Sequence, residues 1–252
     1  EFVDKYNLCF TAEKLRYMHQ PQTQEDIEAA KNRMIFDELF HLAIEMERTY
    51  RETRHKTDIT IKTCNWIKPF LDSLPFKLTD GEESQLETVR SIVRKVNKGY
   101  LTTSLAQGDV GCGKTMVAIL TMLAFAENGY QTVLMAPTTV LATQHYNELS
   151  VLFEKLNIKT ALLTGSTTAA EKRRICDLVA VGSIDIVIGT HALLNEKLAF
   201  KKLGLVITDE QHRFGVKQRM KLNQKGENPD VLVMTATPIP RTLALILYGD
   251  LD

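Results

Sequence analysis

The chain has 252 residues, 44% of them hydrophobic, and its 31 basic and 31 acidic side chains cancel to a formal net charge of zero. That is ample for a buried core in one large or two modest domains, and the balanced charge leaves any nucleic-acid contact to a local patch. No apolar run approaches the ~20 residues of a membrane span, and Cys9, Cys64, Cys112 and Cys176 lack C-x-x-C spacing, which fits free thiols in a reducing cytoplasm and argues against structural zinc. The sequence opens on Glu1 rather than Met and shows no charged-then-apolar leader, so it reads as a piece of a longer protein.

Between Glu25 and Arg54 the sequence is charged and helix-favouring, with Ile27, Ala30, Met34, Leu39, Leu42 and Met46 recurring every three to five residues. This predicts one long amphipathic helix. Thr23 and Asp26 resemble a capping box at its start, and about 28 residues at 1.5 Å each give roughly 42 Å. Phe36, Phe40 and Ile44 widen the apolar face. The helix then either buttresses the core, meets neighbours on two sides, or packs against a further domain. Residues 1–73 are accordingly read as a helical linker region and 74–252 as a nucleotide-binding domain.

From Leu74 onward the texture switches to short β-rich runs separated by helices, at 101–106, 132–136, 160–163, 184–189, 203–208 and 230–235. Runs such as Ile184-Asp185-Ile186-Val187-Ile188 and Leu205-Val206-Ile207 are nearly continuous in Val, Ile and Leu, as strands covered on both faces require. The expected fold class is α/β, a wound and mostly parallel sheet with helices on both faces, preceded by the long N-terminal helix. In such sheets ligands bind beyond the carboxyl ends of the strands.

The first strand runs into Gly108-Asp109-Val110-Gly111-Cys112-Gly113-Lys114-Thr115, which fits G-x-x-x-x-G-K-[ST], and an apolar helix from Met116 to Ala126 follows. Backbone N–H groups of such a loop wrap a nucleotide's phosphates, Lys114 reaches their outer oxygens, and the helix N-terminus favours anions. Small residues commonly fill the position of Cys112, so it is read as part of the loop and not as a nucleophile. The second signal is Asp209-Glu210 directly after an apolar strand. A phosphate-bound Mg²⁺ needs hard oxygen ligands, which makes Thr115 and Asp209 the natural pair, and Glu210 can then polarise the attacking water. His212 is a candidate sensor of the γ-phosphate. ATP and Mg²⁺ are the cofactors implied.

Further polar clusters end the later strands. Pro137, Thr138, Gln144, Thr164, Gly165, Ser166, Thr190 and His191 lie on the rim away from the nucleotide, where hydroxyls and amides can hold phosphate oxygens without reading sequence, and they are the candidate contacts should the partner be DNA. Thr138 and Thr190 equally suit helix caps. Glu171-Lys172-Arg173-Arg174 and Lys201-Lys202 read as solvated charge.

Three stretches carry a family resemblance. Gln107-Gly108-Asp109-Val110-Gly111, Asp209-Glu210-Gln211-His212 followed by Arg213-Phe214-Gly215-Val216-Lys217-Gln218-Arg219, and Thr235-Ala236-Thr237-Pro238-Ile239-Pro240-Arg241-Thr242 resemble the DExH helicases of superfamily two, and among them the RecG family. Met18-His19-Gln20-Pro21 and Arg33-Met34-Ile35-Phe36-Asp37-Glu38-Leu39-Phe40 look like that family's linker after its wedge domain, so the resemblance runs from about Leu15 to Asp252. It implies a RecA-like first motor lobe of an ATP-driven translocase that remodels branched double-stranded DNA and stalled forks in recombination and repair. It also implies catalytic roles for Gln211 and His212 beside Lys114 and Glu210, and coupling through Thr235, Ala236, Thr237 and Arg241. Arg213 and Arg219 would meet a second RecA-like lobe. That lobe and the wedge domain are the partners implied, and a monomer is the expected state. Without the second lobe's arginines the chain alone is expected to bind ATP·Mg²⁺ weakly and turn it over little.

The motor of the transcription-repair coupling translocases shares the Arg213-Phe214-Gly215 and Thr235-to-Thr242 stretches, but it typically carries Glu at Gln211 and Cys at Gln107. A nucleotide-gated binding module without hydrolysis is the reading from another class. One departure from the family concerns the base: Glu82 stands where relatives place an adenine-reading glutamine. A carboxylate accepts from the adenine amino group but cannot donate to the neighbouring ring nitrogen. Gln85, one turn on, is the substitute candidate, and Phe76 either stacks on the base or belongs to the core. Thr208 stands where relatives carry an aliphatic residue, and its hydroxyl is expected to find a local hydrogen bond.

Overall fold

The computed structural model describes residues 2–53, 56–74, 82–109, 111–209, 225–226 and 228–235. The chain divides into two compact units, Glu1–Thr53 and Arg54–Asp252.

The first unit is helical, with α1 (Phe2–Lys5), α2 (Thr11–His19) and α3 (Gln24–Thr53). The capping box starts α3 as its residues require: Asp26 N–H donates to Thr23 Oγ1 at 3.2 Å and Thr23 N–H to Asp26 Oδ2 at 3.1 Å. Asp37 joins α2 to α3 by accepting from Lys14 Nζ (2.8 Å) and Arg33 Nε (2.9 Å). The Lys14 hydrogen bond, with the Arg33 charge behind it, holds the Asp37 carboxyl below its ordinary range. Phe36 packs between Tyr6 and Phe40, at ring-centroid distances of 5.3 and 5.6 Å. Ile35, Leu39, Leu42 and Ile44 are exposed, so the wide apolar face of α3 is only partly covered within its own unit.

In the second unit, residues 56–66 form an extended strap whose backbone is paired largely by side chains. Asn97 exchanges two hydrogen bonds with Ile61, Asn128 binds Lys62 and Thr63, and the Glu127 carboxylate accepts from Asn65 and Trp66 N–H. Ile59 and Ile61 are buried beneath it. Then α4 (Ile67–Asp72) seats Phe70 against Phe153 at 6.1 Å. Residues 56–74 therefore pack with the sheet, and the division by packing falls at Thr53/Arg54 rather than at 73/74.

The helix α5 (Glu82–Val96) leads into β1 (Thr103–Gln107), α6 (Lys114–Glu127), β2 (Gln131–Met135), α7 (Thr139–Glu154), β3 (Thr160–Leu163), α8 (Ala169–Ala180), β4 (Ile186–Gly189), β5 (Leu203–Asp209) and β6 (Asp230–Thr235). All six strands lie where the sequence predicts, and every pairing is parallel, in the order β1-β6-β5-β2-β4-β3. Both faces are covered, which is why the strands read as apolar runs. Ile186, Ile188, Leu205 and Ile207 face a core built with α5, α6 and α7, while Val187 and Val206 face a second core closed by Ile175 and Val179 of α8. Met116 to Ala126 of α6 are buried throughout, as a helix apolar on every side must be. No described helix is long and apolar enough to cross a membrane.

Candidate functional site

β1 delivers the phosphate loop to the carboxyl edge of the sheet. Gly108 N–H donates to Thr235 O at 3.4 Å, so the loop starts on the end of β6. Gly111 and Gly113 take left-handed φ values of 87° and 89°, where glycine avoids the Cβ penalty. Gly113 is the N-cap of α6 and no side chain caps that helix, which leaves its first amides to an anion. Thr115 is exposed at the mouth. Lys114 Nζ donates to Gly108 O and Asp109 O at 2.7 Å each and lies 3.8 Å from Cys112 Sγ. The ammonium is thus folded over the cradle, on the side where phosphate oxygens would compete for it.

Two side chains lie against the glycines of this loop. A Cβ at Gly108 would meet Cys112 Sγ at 2.6 Å, and a Cβ at Gly113 would collide with the Gln85 side-chain amide. Gln85 reaches the loop because α5 packs on α6, and its Oε1 is buried without a hydrogen-bond partner. The structure therefore sets Gln85, the substitute base reader of the sequence, against the phosphate loop.

Asp209 ends β5, in register with Met234 of β6, while Gln107 is in register with Thr235. The two strand ends are separated only by β6, about 10 Å across the sheet. Sheet order thus splits the rim. The strand ends of β1, β6 and β5 carry the phosphate loop, Thr235 and Asp209; those of β2, β4 and β3 carry the loops read as DNA contacts.

A residue that the sequence reading did not single out stands at the division. The buried stripe of α7 is Ala142, His145, Leu149 and Phe153, and His145 is its polar member. Its Nε2 lies 3.5 Å from Asp209 Oδ2 and has no hydrogen-bond partner. A histidine on an otherwise apolar stripe of a helix next to an expected metal site was the available signal.

On the half of the rim after β2, β4 and β3, Pro137 is half-buried and Thr138 caps α7, its Oγ1 accepting from Leu141 N–H at 3.2 Å. Gln144 is exposed and donates to Glu148 Oε1. Thr164 is 2% exposed, with its hydroxyl 2.9 Å from Ser166 Oγ and 3.4 Å from Thr167 Oγ1, so it holds the loop from within. Gly165 and Ser166 are the exposed part of that turn. Thr190 is buried and precedes a 3₁₀ turn, His191–Leu194, without capping it by its side chain; His191 is exposed.

Thr208 differs from expectation: its buried Oγ1 has no partner, because Met135 and Val233 are its strand neighbours on either side. Thr235 is buried at the end of β6. Phe76, Val110, Glu210, Gln211, His212, Arg213, Arg219, Ala236, Thr237 and Arg241 lie outside the described residues, as does the side chain of Glu82. Among the described residues no cluster of His, Cys, Asp or Glu forms a metal cage, and Thr115 and Asp209, the pair expected to hold Mg²⁺, are both described.

Comparison with known proteins agrees with this arrangement. Residues 82–246 match the DEAD/DEAH box helicase family. The chain is 44% identical over 254 residues to the ATP-dependent DNA helicase RecG of Streptococcus pneumoniae, covering 99% of this chain and 37% of the relative. It is 46% identical to the RecG helicase of Thermotoga maritima, covering 99% of this chain and 32% of the relative. A solved structure of RecG bound to a three-way DNA junction superposes with a TM-score of 0.79 at 42% identity, over 99% of this chain and 34% of that one. The helicase MrfA shares the fold alone, with a TM-score of 0.56 at 22% identity, over 75% of this chain and 32% of that one. The chain thus spans about a third of the length of the curated relatives it matches.

Proposed function

The chain belongs to the DEAD/DEAH box helicase family, and from that membership we propose that it is the first motor lobe of a RecG-type, ATP-driven translocase on branched double-stranded DNA. Its role would be to remodel stalled forks in recombination and repair in the cytoplasm, as a monomer. The observation that carries this reading is the split rim: phosphate loop, Thr235 and Asp209 on one half, and the Thr138, Gly165 and Thr190 loops on the other. The similarity to a RecG structure titled as bound to a three-way DNA junction supports branched DNA as the substrate.

In this reading the amides of the 108–113 loop and Lys114 hold the phosphates of ATP. Thr115 and Asp209 would hold Mg²⁺, which supplies charge neutralisation on the phosphates. Glu210 takes a proton from water as the water oxygen bonds to the γ-phosphorus and the bond to the bridging oxygen breaks. Gln211 and His212 would sense the γ-phosphate, Gln85 would border the phosphate loop, and Phe76 with Glu82 would read the base. Pro137, Thr138, Gln144, Gly165, Thr190 and His191 present amides, hydroxyls and an imidazole to DNA phosphates, with the buried Thr164 shaping its loop. Thr235, Ala236, Thr237 and Arg241 couple the halves.

The relatives' extra length fits a second RecA-like lobe and a wedge domain as partners in the same protein, and the exposed apolar side chains of α3 give such a domain a surface. Residues 1–252 alone are expected to turn ATP over slowly, because the closing arginines belong to the second lobe.

The test uses Lys114→Ala and Glu210→Gln in the full-length protein, with a synthetic fork as substrate. A motor loses fork remodelling with either change. Remodelling that survives Glu210→Gln while ATP still binds would identify a nucleotide-gated module instead.

A further inference from the structure

We propose that His145 is a positioning residue for the nucleotide site, donating from Nε2 to Asp209 Oδ2 and so tying the DNA-facing helix α7 to the carboxylate assigned to the metal. The inference rests on the motor reading above and adds a residue to it.

Burial makes the case first. His145 is 8% exposed and lies in the stripe Ala142, His145, Leu149, Phe153, which seats α7 on the sheet. A ring nitrogen in such a stripe loses its water and is costly to bury unless a protein partner replaces it. Asp209 Oδ2, at 3.5 Å, is the polar group the structure offers to Nε2. The separation is longer than an ordinary hydrogen bond, so the donation requires the two side chains to approach more closely.

Chain order makes the case second. β2 lies directly beside β5, with Met135 in register with Thr208, so the helix that leaves β2 starts one strand away from the end of β5 where Asp209 stands, before it packs on β3 and β4. Thr138 caps α7, and His145 follows seven residues later, about 10 Å along the axis. Gln144, the adjacent residue, points outward among the DNA candidates. One rigid helix thus carries a DNA-side end and an Asp209-side contact. A shift of α7 on DNA would move the donor relative to the carboxylate, whose orientation sets how well it ligates a cation.

The test compares native full-length protein with His145→Leu, which fills the stripe without a donor, and His145→Gln, whose amide Nε2 can replace the imidazole donor. The readouts are Mn²⁺ binding to the ATP complex by electron paramagnetic resonance and metal-free binding of a fluorescent ATP analogue. His145→Leu should weaken Mn²⁺ binding about tenfold with the metal-free affinity unchanged, and His145→Gln should stay within about threefold of native. Native-like Mn²⁺ binding in His145→Leu overturns the proposal. So does His145→Gln binding tenfold weaker than native, and that arm decides if His145→Leu does not fold. Native protein that binds no Mn²⁺·ATP sinks the motor reading itself, a result distinct from both.

Discussion

His145 Nε2 and Asp209 Oδ2 stand 3.5 Å apart across the boundary between the two halves of the rim. One residue belongs to the helix that Thr138 caps, the other to the strand next to β6, on which the phosphate loop rests. Their proximity brings the helix that follows β2 up to the strand end beside the phosphate loop.

Lys114→Ala removes the ammonium that now bridges Gly108 O and Asp109 O. A charged hydrogen-bond donor is worth roughly 1.5–3 kcal/mol, so nucleotide affinity should fall about 10- to 100-fold. Titration of the full-length protein with a fluorescent ATP analogue checks this. An affinity within twofold of native would show that the loop holds phosphate without its lysine.

Gly113→Ala should damage the cradle in two separable ways. A left-handed φ of 89° costs a side chain about 1–2 kcal/mol, and the new methyl also collides with Gln85. The double variant Gly113→Ala/Gln85→Ala removes the collision and keeps the strain. Its nucleotide affinity should therefore lie between those of native protein and Gly113→Ala. Equal affinity of the single and double variants would place Gln85 away from the loop in solution.

Asp230 predicts a pH dependence of stability. Burial pushes its carboxyl up to about 7, against the opposing hydrogen bond from Thr102 N–H at 2.8 Å. Between about pH 4 and pH 7 the folded state holds this proton and the unfolded state does not, so stability is highest below that window and falls as pH rises through it. The loss from this group is on the order of 4 kcal/mol, and it levels off above about pH 7. Asp230→Asn should flatten this component, which urea unfolding at pH 5 and pH 8 would measure. An unchanged slope in the variant would assign the dependence to other groups.

Much of this fold is legible in the residues. Val, Ile and Leu runs mark strands covered on both faces, and Thr23 with Asp26 fixes the start of α3 because the capping geometry is local. What the sequence hides depends on pairing at a distance. Residues 57–62 alternate buried and exposed as a strand would, yet Asn97, Asn128 and Glu127 take the place of a neighbouring strand there. His145 looks like any helix residue until β2 and β5 are known to be adjacent. Asp230 opens a strand, and that position alone does not tell that the chain buries it to 2% exposure. The Thr208 hydroxyl was expected to be paired, but the parallel ladder surrounds it with apolar neighbours.

That orphan yields a prediction of its own. Thr208→Val keeps the shape and removes a buried hydroxyl without a partner, so stability should rise by about 1 kcal/mol. A lowered urea midpoint would reveal a hydrogen bond made by that hydroxyl in solution.

The most direct test of the account is steady-state ATP hydrolysis by the full-length protein with and without a three-way DNA junction, native against Glu210→Gln. The account expects the junction to accelerate native turnover and the variant to bind ATP yet hydrolyse it at least a hundredfold more slowly. Native turnover indifferent to the junction, or a variant that hydrolyses like native, would contradict it.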